Sequence, residues 1–209
     1  MKILITGGSG FIGSNLAKYF LSRGHKVSAV GRSPDQGLIR HESFRYISAD
    51  TTRPGRWQEA VEETEAVVNL TGATIFKRWS PDYKKLIYNS RILTTRHVVA
   101  ALPEDRAVTL CSASGVGYYG NRGDDILKED ESVGQDFLAQ LSRDWEKEAL
   151  QAAEKGTRVA VMRFGVVLGK DGGALAKMIP AFKMFVGGSL GSGKQWFPWI
   201  HLEDLMAAI

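Results

Sequence analysis

Short apolar runs alternate with longer amphipathic segments along most of the chain. The apolar runs have the length and β-branched composition of buried strands, and the longer segments repeat apolar residues at the spacing of a helix that faces a core. The runs predict six strands, at residues 2–6, 26–30, 44–48, 66–70, 107–112 and 158–164. Helices are predicted at residues 14–23, 81–102 and 137–154. This alternation predicts an α/β fold, a Rossmann-type doubly wound parallel sheet with helices on both faces.

The pattern changes after residue 168, where closely spaced glycines interrupt short apolar pieces. We therefore expect a Rossmann domain at residues 1–168 and the start of a small C-terminal substrate lobe at residues 169–209. The sixth strand can also be extended to residue 168. The chain stops at Ile209, within what reads as the first turns of a helix that begins at Leu202. Since domains seldom end inside a helix, we expect the lobe to be truncated and the native protein to continue.

Composition limits the classes of protein to which the chain can belong. Of its 209 residues, 44% are hydrophobic and 24% are charged, which is typical of a globular core. No apolar run reaches the roughly 18 residues of a membrane-spanning helix, and the amino terminus lacks the apolar segment of a secretory signal. The net charge of +4 comes from basic residues that are scattered rather than clustered. We therefore expect a cytoplasmic protein that binds neither membranes nor nucleic acids.

The single cysteine and the histidines give no sign of redox or metal chemistry. Cys111 cannot form an intrachain disulfide and is interpreted as a buried apolar residue. His201 lies close to Asp204 in the sequence, but two groups are too few for a metal site, so no metal is expected. We interpret His201 as a structural hydrogen-bonding residue.

A glycine-rich turn lies between the first predicted strand and its helix. Gly7 permits a tight turn, Gly10 lets the backbone approach a diphosphate, and Gly13 lets helix and strand pack closely. The start of the helix, which includes Phe11 and Ile12, adds free N–H groups and a partial positive charge. Because the turn follows a strand and opens a helix, it predicts a dinucleotide site more strongly than an isolated glycine motif. A purely structural turn is the alternative.

The end of the second predicted strand indicates which dinucleotide is bound. Sites selective for NAD usually place an acidic residue here, whereas this chain has Arg32, whose guanidinium suits the 2′-phosphate of NADP(H). A charge-assisted hydrogen bond of about 1.5–3 kcal/mol corresponds to a preference of roughly ten- to a hundred-fold. The alternative is that Arg32 covers the adenine face. Asp50 either accepts a hydrogen bond from the adenine amino group or forms a turn. The other residues predicted to contact the cofactor are Leu70, Thr71, Gly72, Ala73, Ser112 and Phe164.

Several longer motifs occur in a fixed order along the chain. They lie at residues 6–13, 69–73, 112–114, 119–120, 163–169 and 199–204. This series resembles the extended short-chain dehydrogenases/reductases, the group that contains the nucleotide-sugar epimerases, along essentially the whole chain. Further motifs are similar to an atypical subgroup, the NAD-dependent epimerase/dehydratase-like epimerase family proteins; they lie at residues 78–79, 90–91, 117–120, 144–146 and 191–201. The resemblance implies NADP binding, an unassigned small-molecule substrate and a chain longer than this one.

The resemblance also implies a catalytic Ser and a Tyr-x-x-x-Lys pair on one helix, whose Lys lowers the pKa of the Tyr. In this chain the matching helix has Phe137 and Leu141 at those positions, and no Tyr-x-x-x-Lys occurs in the 209 residues. Neither side chain exchanges protons, so the usual mechanism does not apply directly. The remaining catalytic candidates are Ser114, Tyr118 and Tyr119. Arg122 lies close enough in sequence to Tyr118 to lower the pKa of its phenol. Packing is the alternative role of both tyrosines.

Two arginines are candidates for binding a phosphate or carboxylate of a substrate. They are Arg78 and Arg91, and a solvated helix face is an equally good interpretation of both. The first functional hypothesis is an NADP(H)-binding oxidoreductase or epimerase-like enzyme acting on a polar, nucleotide-sugar-like substrate. The second is a non-catalytic NADP(H)-binding protein that signals redox state to a partner, and a third is a structural domain without nucleotide. The oligomeric state is left open, with a homodimer among the options.

Overall fold

Six parallel strands form the centre of the computed structural model, which describes residues 1–34, 39–170, 172–189 and 191–209. The strands are β1 (Lys2–Thr6), β2 (Lys26–Gly31), β3 (Phe44–Ser48), β4 (Ala66–Asn69), β5 (Thr109–Gly115) and β6 (Arg158–Phe164). Their order is β3-β2-β1-β4-β5-β6, and each neighbouring pair is parallel. This is the order of the doubly wound fold, in which the winding reverses between β1 and β4. The predicted fold is confirmed.

Six helices lie around the sheet and in its loops, and two of the longer ones begin at side-chain caps. They are α1 (Phe11–Ser22), α2 (Glu59–Glu62), α3 (Pro81–Ala101), α4 (Phe137–Leu150), α5 (Gly173–Lys183) and α6 (Leu202–Ala208). Ser80 caps α3 and Asp136 caps α4, each through a side-chain oxygen that accepts a backbone N–H of the first turn. The first helix begins at Phe11 rather than at residue 14, because it starts inside the glycine-rich turn. Likewise β5 continues past residue 112 to Gly115.

The core has two layers because the side chains of each central strand alternate between the faces of the sheet. In β1, Ile3 and Ile5 pack with α1 and α6, whereas Leu4 packs on the opposite face with α2, α3 and the end of α4. All three side chains are almost completely buried. Helices therefore cover both faces, and the loops at the carboxyl edge of the sheet are left as the place where a ligand can bind.

The chain after β6 forms a second, smaller sheet. β7 (Val166–Leu168) pairs in parallel with β8 (Trp199–His201), so β6 does not extend to residue 168. The strand is interrupted at Gly165, where an added Cβ would lie 2.7 Å from the carbonyl oxygen of Pro198. After β8, His201 caps α6, and that helix contributes Leu205 to the core beneath α1. The division of the chain at residue 168 stays a prediction.

None of the helices in the described ranges is long and apolar enough to cross a membrane. Cys111 lies half-buried at the edge of the core, and burial raises the pKa of its thiol. A raised pKa makes the thiol a poor nucleophile, which agrees with a packing role.

Candidate functional site

The turn after β1 has a shape that only glycine permits at two positions. Gly7 has a φ of +68°, and a Cβ added to it would lie 3.0 Å from the backbone carbonyl carbon of Leu70. A Cβ on Gly13 would lie 2.4 Å from the carbonyl oxygen of Gly7. The turn therefore packs tightly against both α1 and the segment after β4, at the point where the winding of the sheet reverses.

The amino terminus of α1 opens directly from this turn. Its N-cap is Gly10, which has no side chain to accept the N–H groups of the first helical turn. Those N–H groups and the positive end of the helix dipole are what a phosphate requires. The N–H of Gly10 itself donates to the carbonyl of Gly7 over 2.9 Å and closes the turn. The turn and the first residues of α1, Phe11 and Ile12, thus fit the diphosphate of a dinucleotide.

A positive charge lies at the carboxyl end of β2. Arg32 is exposed there, and the preceding Gly31 lies so close to the turn that an added Cβ would be 2.4 Å from Ser9 Oγ. Asp50 accepts hydrogen bonds from both the N–H and the hydroxyl of Thr52. Burial alone would raise the pKa of Asp50, but these hydrogen bonds and the charge of Arg32 lower it. Asp50 therefore forms the turn that was one of its two expected roles, while the side chain of Arg32 is exposed to solvent.

A cavity of about 450 Å³ lies between the glycine-rich turn and the carboxyl ends of β4, β5 and β6. A concave site with mainly apolar walls and a few polar groups is the usual form of a small-molecule site. The cavity wall brings together candidates that were proposed separately for cofactor, catalysis and substrate: Phe11, Ile12, Leu70, Phe164, Ser114 and Arg91. The rest of the wall is largely apolar and includes Ile75, Leu138, Leu141 and Trp145.

Two predicted cofactor residues differ in their relation to this cavity. Ser112 is 1% exposed and accepts a hydrogen bond from Asn69, within a buried network that also includes Thr6 and Thr95. Ser112 therefore helps to hold β4 and β5 together inside the sheet, and it is absent from the described wall of the cavity. Thr71 is different, because its buried Oγ1 has no hydrogen-bond partner among the described residues. A ligand at the edge of β4 can supply that partner.

Arg91 extends from α3 beside the segment after β4. Its Nη1 donates to the carbonyl oxygens of Ala73 (3.2 Å) and Ile87 (3.1 Å), and a Cβ on Gly72 would lie 2.7 Å from its Cζ. Its guanidinium lies 5.2 Å from the ring centre of Trp145. It forms no salt bridge within the described ranges, and burial lowers its pKa to about 10, so it is charged at neutral pH. A half-buried cation without an acidic partner is suited to bind an anion.

Arg78 lies apart from this arrangement. Its side chain is exposed and is absent from the described wall of the cavity. The neighbouring Trp79 donates its indole N–H to the carbonyl of Ile75 over 2.9 Å. A substrate-binding role for Arg78 stays a prediction.

Comparison with known families decides the class to which this site belongs. A family model described as the NAD dependent epimerase/dehydratase family matches residues 3–209. The chain belongs to this family. Membership confirms the predicted family, the fold and the class of cofactor, a nicotinamide dinucleotide.

Individual relatives of this epimerase/dehydratase chain extend beyond its length. It is 43% identical to the chloroplastic epimerase family protein SDR39U1 homolog of Arabidopsis thaliana, over 100% of this chain and 61% of the relative. The crystal structure of human epimerase family protein SDR39U1 with NADPH has a TM-score of 0.80 and 33% identity, over 99% of this chain and 68% of that one. A nucleoside-diphosphate sugar epimerase from Corynebacterium glutamicum has a TM-score of 0.79 and 33% identity, over 100% of this chain and 42% of that one. The chain thus spans about three fifths of the plant relative.

At the position of the acid–base pair, this epimerase/dehydratase family member has apolar packing. Leu141 is 3% exposed and lines the cavity, and Phe137 stacks edge-on against Trp79. The two candidate tyrosines lie elsewhere: the hydroxyl of Tyr119 accepts from Arg163 Nη1 over 2.9 Å, and the ring of Tyr118 lies 3.6 Å from the Arg163 guanidinium. Neither tyrosine belongs to the described wall of the cavity that contains Ser114.

The arginine near the tyrosines is not the one suggested by sequence proximity. Arg122 forms salt bridges with Asp125 and Glu131 on the surface, and its influence on a tyrosine stays a prediction. Arg163, which is distant in sequence, takes that place because β6 ends beside β5. Its hydrogen bonds with Glu146 raise the pKa of Arg163 above its usual value, so it carries a permanent positive charge.

Sequence reasoning assigned no role to Glu146 or Arg163. In the structure, Glu146 is 8% exposed and accepts two hydrogen bonds from Arg163 and one from Ser114. A signal was present in the sequence, because Glu146 shares the apolar face of α4 with Ala139 and Ala149. A carboxylate on a buried helix face requires a charged or hydrogen-bonding partner, and the sequence alone does not show which one.

Proposed function

We propose that this chain is the dinucleotide-binding part of an NADP(H)-dependent oxidoreductase or epimerase-like enzyme, acting on a polar, nucleotide-sugar-like substrate. One observation carries the proposal: the first residues of α1, which follow directly on the glycine-rich turn, line the same cavity as Ser114 and Arg91. A nicotinamide ring bound there supplies hydride chemistry. The cavity wall supplies hydrogen-bonding groups and excludes water around the reacting carbon.

The preference for NADP(H) over NAD(H) rests on Arg32. An exposed guanidinium stands at the end of β2, the place at which an acidic residue binds the ribose of NAD. Support comes from the human relative, whose structure was solved with NADPH. The neighbouring carboxylate of Asp50 is engaged by Thr52, so it does not repel a phosphate as strongly as an unpaired acid would.

The proposed substrate carries an anionic group that Arg91 binds. The half-buried guanidinium has no acidic partner in the described part of the chain and lines the same cavity as Ser114. A phosphate or carboxylate forms strong, charge-assisted hydrogen bonds with a guanidinium in such surroundings. The name of the Corynebacterium relative, a nucleoside-diphosphate sugar epimerase, supports a substrate of this class.

Reductase assays test the proposal directly. The purified chain is incubated with NADPH and a panel of carbonyl compounds that includes keto-sugar nucleotides, and loss of reduced nicotinamide absorbance is followed. We expect turnover with at least one anionic carbonyl compound and none with the Gly13→Ala variant, in which the diphosphate turn cannot form. NADPH binding without hydride transfer to any member of the panel would contradict the enzymatic part and leave a non-catalytic nucleotide-binding protein.

A further inference from the structure

The hydroxyl of Ser114 has a fixed orientation in the cavity wall. Ser114 is 5% exposed, and its Oγ donates to Glu146 Oε1 over a short distance of 2.6 Å. A serine hydroxyl has one proton and two lone pairs. Because that proton points at the carboxylate, the oxygen presents lone pairs to a ligand. Ser114 is thus set to accept a hydrogen bond, whereas a hydroxyl with a free proton could also donate one.

Arg163 holds Glu146 in the position that orients Ser114. Its Nε and Nη2 donate to the two carboxylate oxygens, each over 2.8 Å. Its Nη1 donates to the hydroxyl of Tyr119 (2.9 Å) and to the carbonyl of Glu129 (2.8 Å), and its guanidinium stacks over Tyr118. The guanidinium is therefore fixed on several sides. A bidentate pair of this kind restricts the carboxylate to one geometry.

The carboxylate also lies on the helix from which the usual acid–base pair is missing. In α4, Phe137 and Leu141 are apolar, and the charged group comes later, at Glu146. We propose that Ser114 and Glu146 replace the missing pair. Ser114 accepts the proton of a substrate hydroxyl, Glu146 is the positioning residue that takes the serine's own proton, and Arg163 fixes the carboxylate. The inference rests on the proposed function, because the hydroxyl belongs to the substrate of that reaction.

The proton and electron balance of this step is simple. The O–H bond of a substrate carbinol breaks as a new O–H bond forms at Ser114 Oγ, and the original serine proton moves to Glu146 Oε1. A bound, oxidised nicotinamide dinucleotide would supply the acceptor for the hydride of the carbinol carbon, which would leave a carbonyl carbon and balance the electrons. Reduction is the same sequence in reverse. A short hydrogen bond already joins the two protein groups, so the second transfer needs no movement of heavy atoms.

A structural ion pair between α4 and β6 is the competing explanation of the same contacts. It predicts that loss of the pair changes stability but not the kind of ligand that the cavity prefers. The proposed arrangement predicts a change in preference, because it assigns the direction of the Ser114 hydrogen bond. Two uncharged probes of similar size that differ in hydrogen-bond donation distinguish the explanations: cyclohexanol, which donates a hydrogen bond, and cyclohexanone, which only accepts.

The experiment measures the affinity of both probes for the full chain, by ligand-observed NMR and by the fluorescence of the tryptophans, which include Trp145 in the cavity wall. The quantity compared is the ratio of the two affinities in each protein. Relative to Ser114→Ala, we expect the native chain to favour the alcohol by about ten-fold, the value of one hydrogen bond to a polarised acceptor. Ser22→Ala removes an exposed serine hydroxyl of α1 that is absent from the described wall of the cavity, and it should leave the native ratio unchanged.

The double variant Glu146→Met/Arg163→Met removes both charges together and leaves no buried charge unpaired. Its Ser114 proton is then free to point into the cavity, so the preference for the alcohol should disappear. Equal ratios in the native chain and Ser114→Ala, a native ratio retained in the double variant, or no binding of either probe would each overturn the inference. If the double variant does not fold, the comparison of Ser114→Ala with Ser22→Ala decides. None of these measurements needs a dinucleotide, so failure of the proposed function is detected separately.

Discussion

The two sides of the cavity are built to recognise ligands in opposite ways. On the side of β1 and α1, the ligand meets backbone: a turn in which Gly13 leaves no room for a Cβ, and helix N–H groups without side chains above them. On the side of β5, α4 and β6, the ligand meets the side chain of Ser114, which is joined through Glu146 to Arg163 behind the cavity wall. The first side cannot tolerate added atoms, and the second cannot tolerate a lost charge.

The largest effect, on the free energy of unfolding, is expected from removing one charge of the ion pair behind Ser114. Arg163→Met leaves the carboxylate of Glu146 buried and without its cation, which should lower the free energy of unfolding by about 3–5 kcal/mol. Arg96→Met is the matched control, because Arg96 pairs with Glu148 while 55% of its side chain is exposed. We expect the control to change stability by less than about 1 kcal/mol. Urea denaturation measures both, and equal losses would show that the two ion pairs do not differ as described.

Adding one atom to the backbone side gives the next largest effect. A Cβ on Gly13 lies 2.4 Å from the carbonyl oxygen of Gly7, so Gly13→Ala forces the turn to open. We expect NADPH affinity to fall by about a hundred-fold, or about 2.7 kcal/mol. Gly55→Ala is the control, since its Cβ would have its nearest described neighbour at 3.6 Å, in Trp57. Unchanged NADPH affinity in Gly13→Ala, measured by fluorescence titration, would mean that this turn does not hold the diphosphate.

Arg32→Ala tests whether a side chain adds selectivity to the backbone side. The variant should lose roughly ten- to a hundred-fold of the preference for NADPH over NADH, because it removes a charge-assisted hydrogen bond to the 2′-phosphate. NADH affinity should change little. Arg45→Ala removes an exposed arginine near the beginning of β3, at the opposite edge of the sheet, and should leave the preference intact. Titrations of both variants with NADPH and with NADH make the measurement. An equal preference for NADPH in Arg32→Ala and Arg45→Ala would show that Arg32 does not bind the 2′-phosphate.

The smallest effect is expected at Arg91, where a flexible ligand can compensate in part. Arg91→Met keeps the side-chain volume but removes the charge, and we expect it to weaken binding of uridine diphosphate by about ten-fold. Arg96→Met removes an exposed arginine from the same helix and serves as the control. Calorimetry in the absence of dinucleotide makes the measurement. An affinity that is equal in the two variants would show that Arg91 is not an anion-binding residue.

The difference between the two sides also explains what could be predicted from sequence. The turn at Gly7 to Gly13 lies within one short stretch, and its constraints follow from the spacing of glycines between a strand and a helix. The six strands of the main sheet were found from their apolar runs for the same reason, with errors at ends such as that of β5, whereas the small sheet of β7 and β8 was not predicted. Local chemistry was therefore readable.

The side-chain wall was not predictable in this way. Ser114 and Glu146 are 32 residues apart and Glu146 and Arg163 are 17 apart, so their contacts depend on the packing of α4 against β5 and β6. Sequence proximity suggested Arg122 as the arginine near the tyrosines, but Arg122 bonds to its own loop. Arg78 and Arg91 were equivalent in sequence, and only the packing of α3 against Gly72 brings one of them into the cavity.

Isothermal titration of the full chain with NADPH and NADH tests the central claim most directly. The account predicts saturable binding of NADPH with one site per chain, and binding of NADH that is weaker by at least about ten-fold. It also predicts that Gly13→Ala removes most of the NADPH signal while Gly55→Ala retains it. Absence of binding by both nucleotides at millimolar concentration would contradict the account, because the turn after β1 would then not be a diphosphate site.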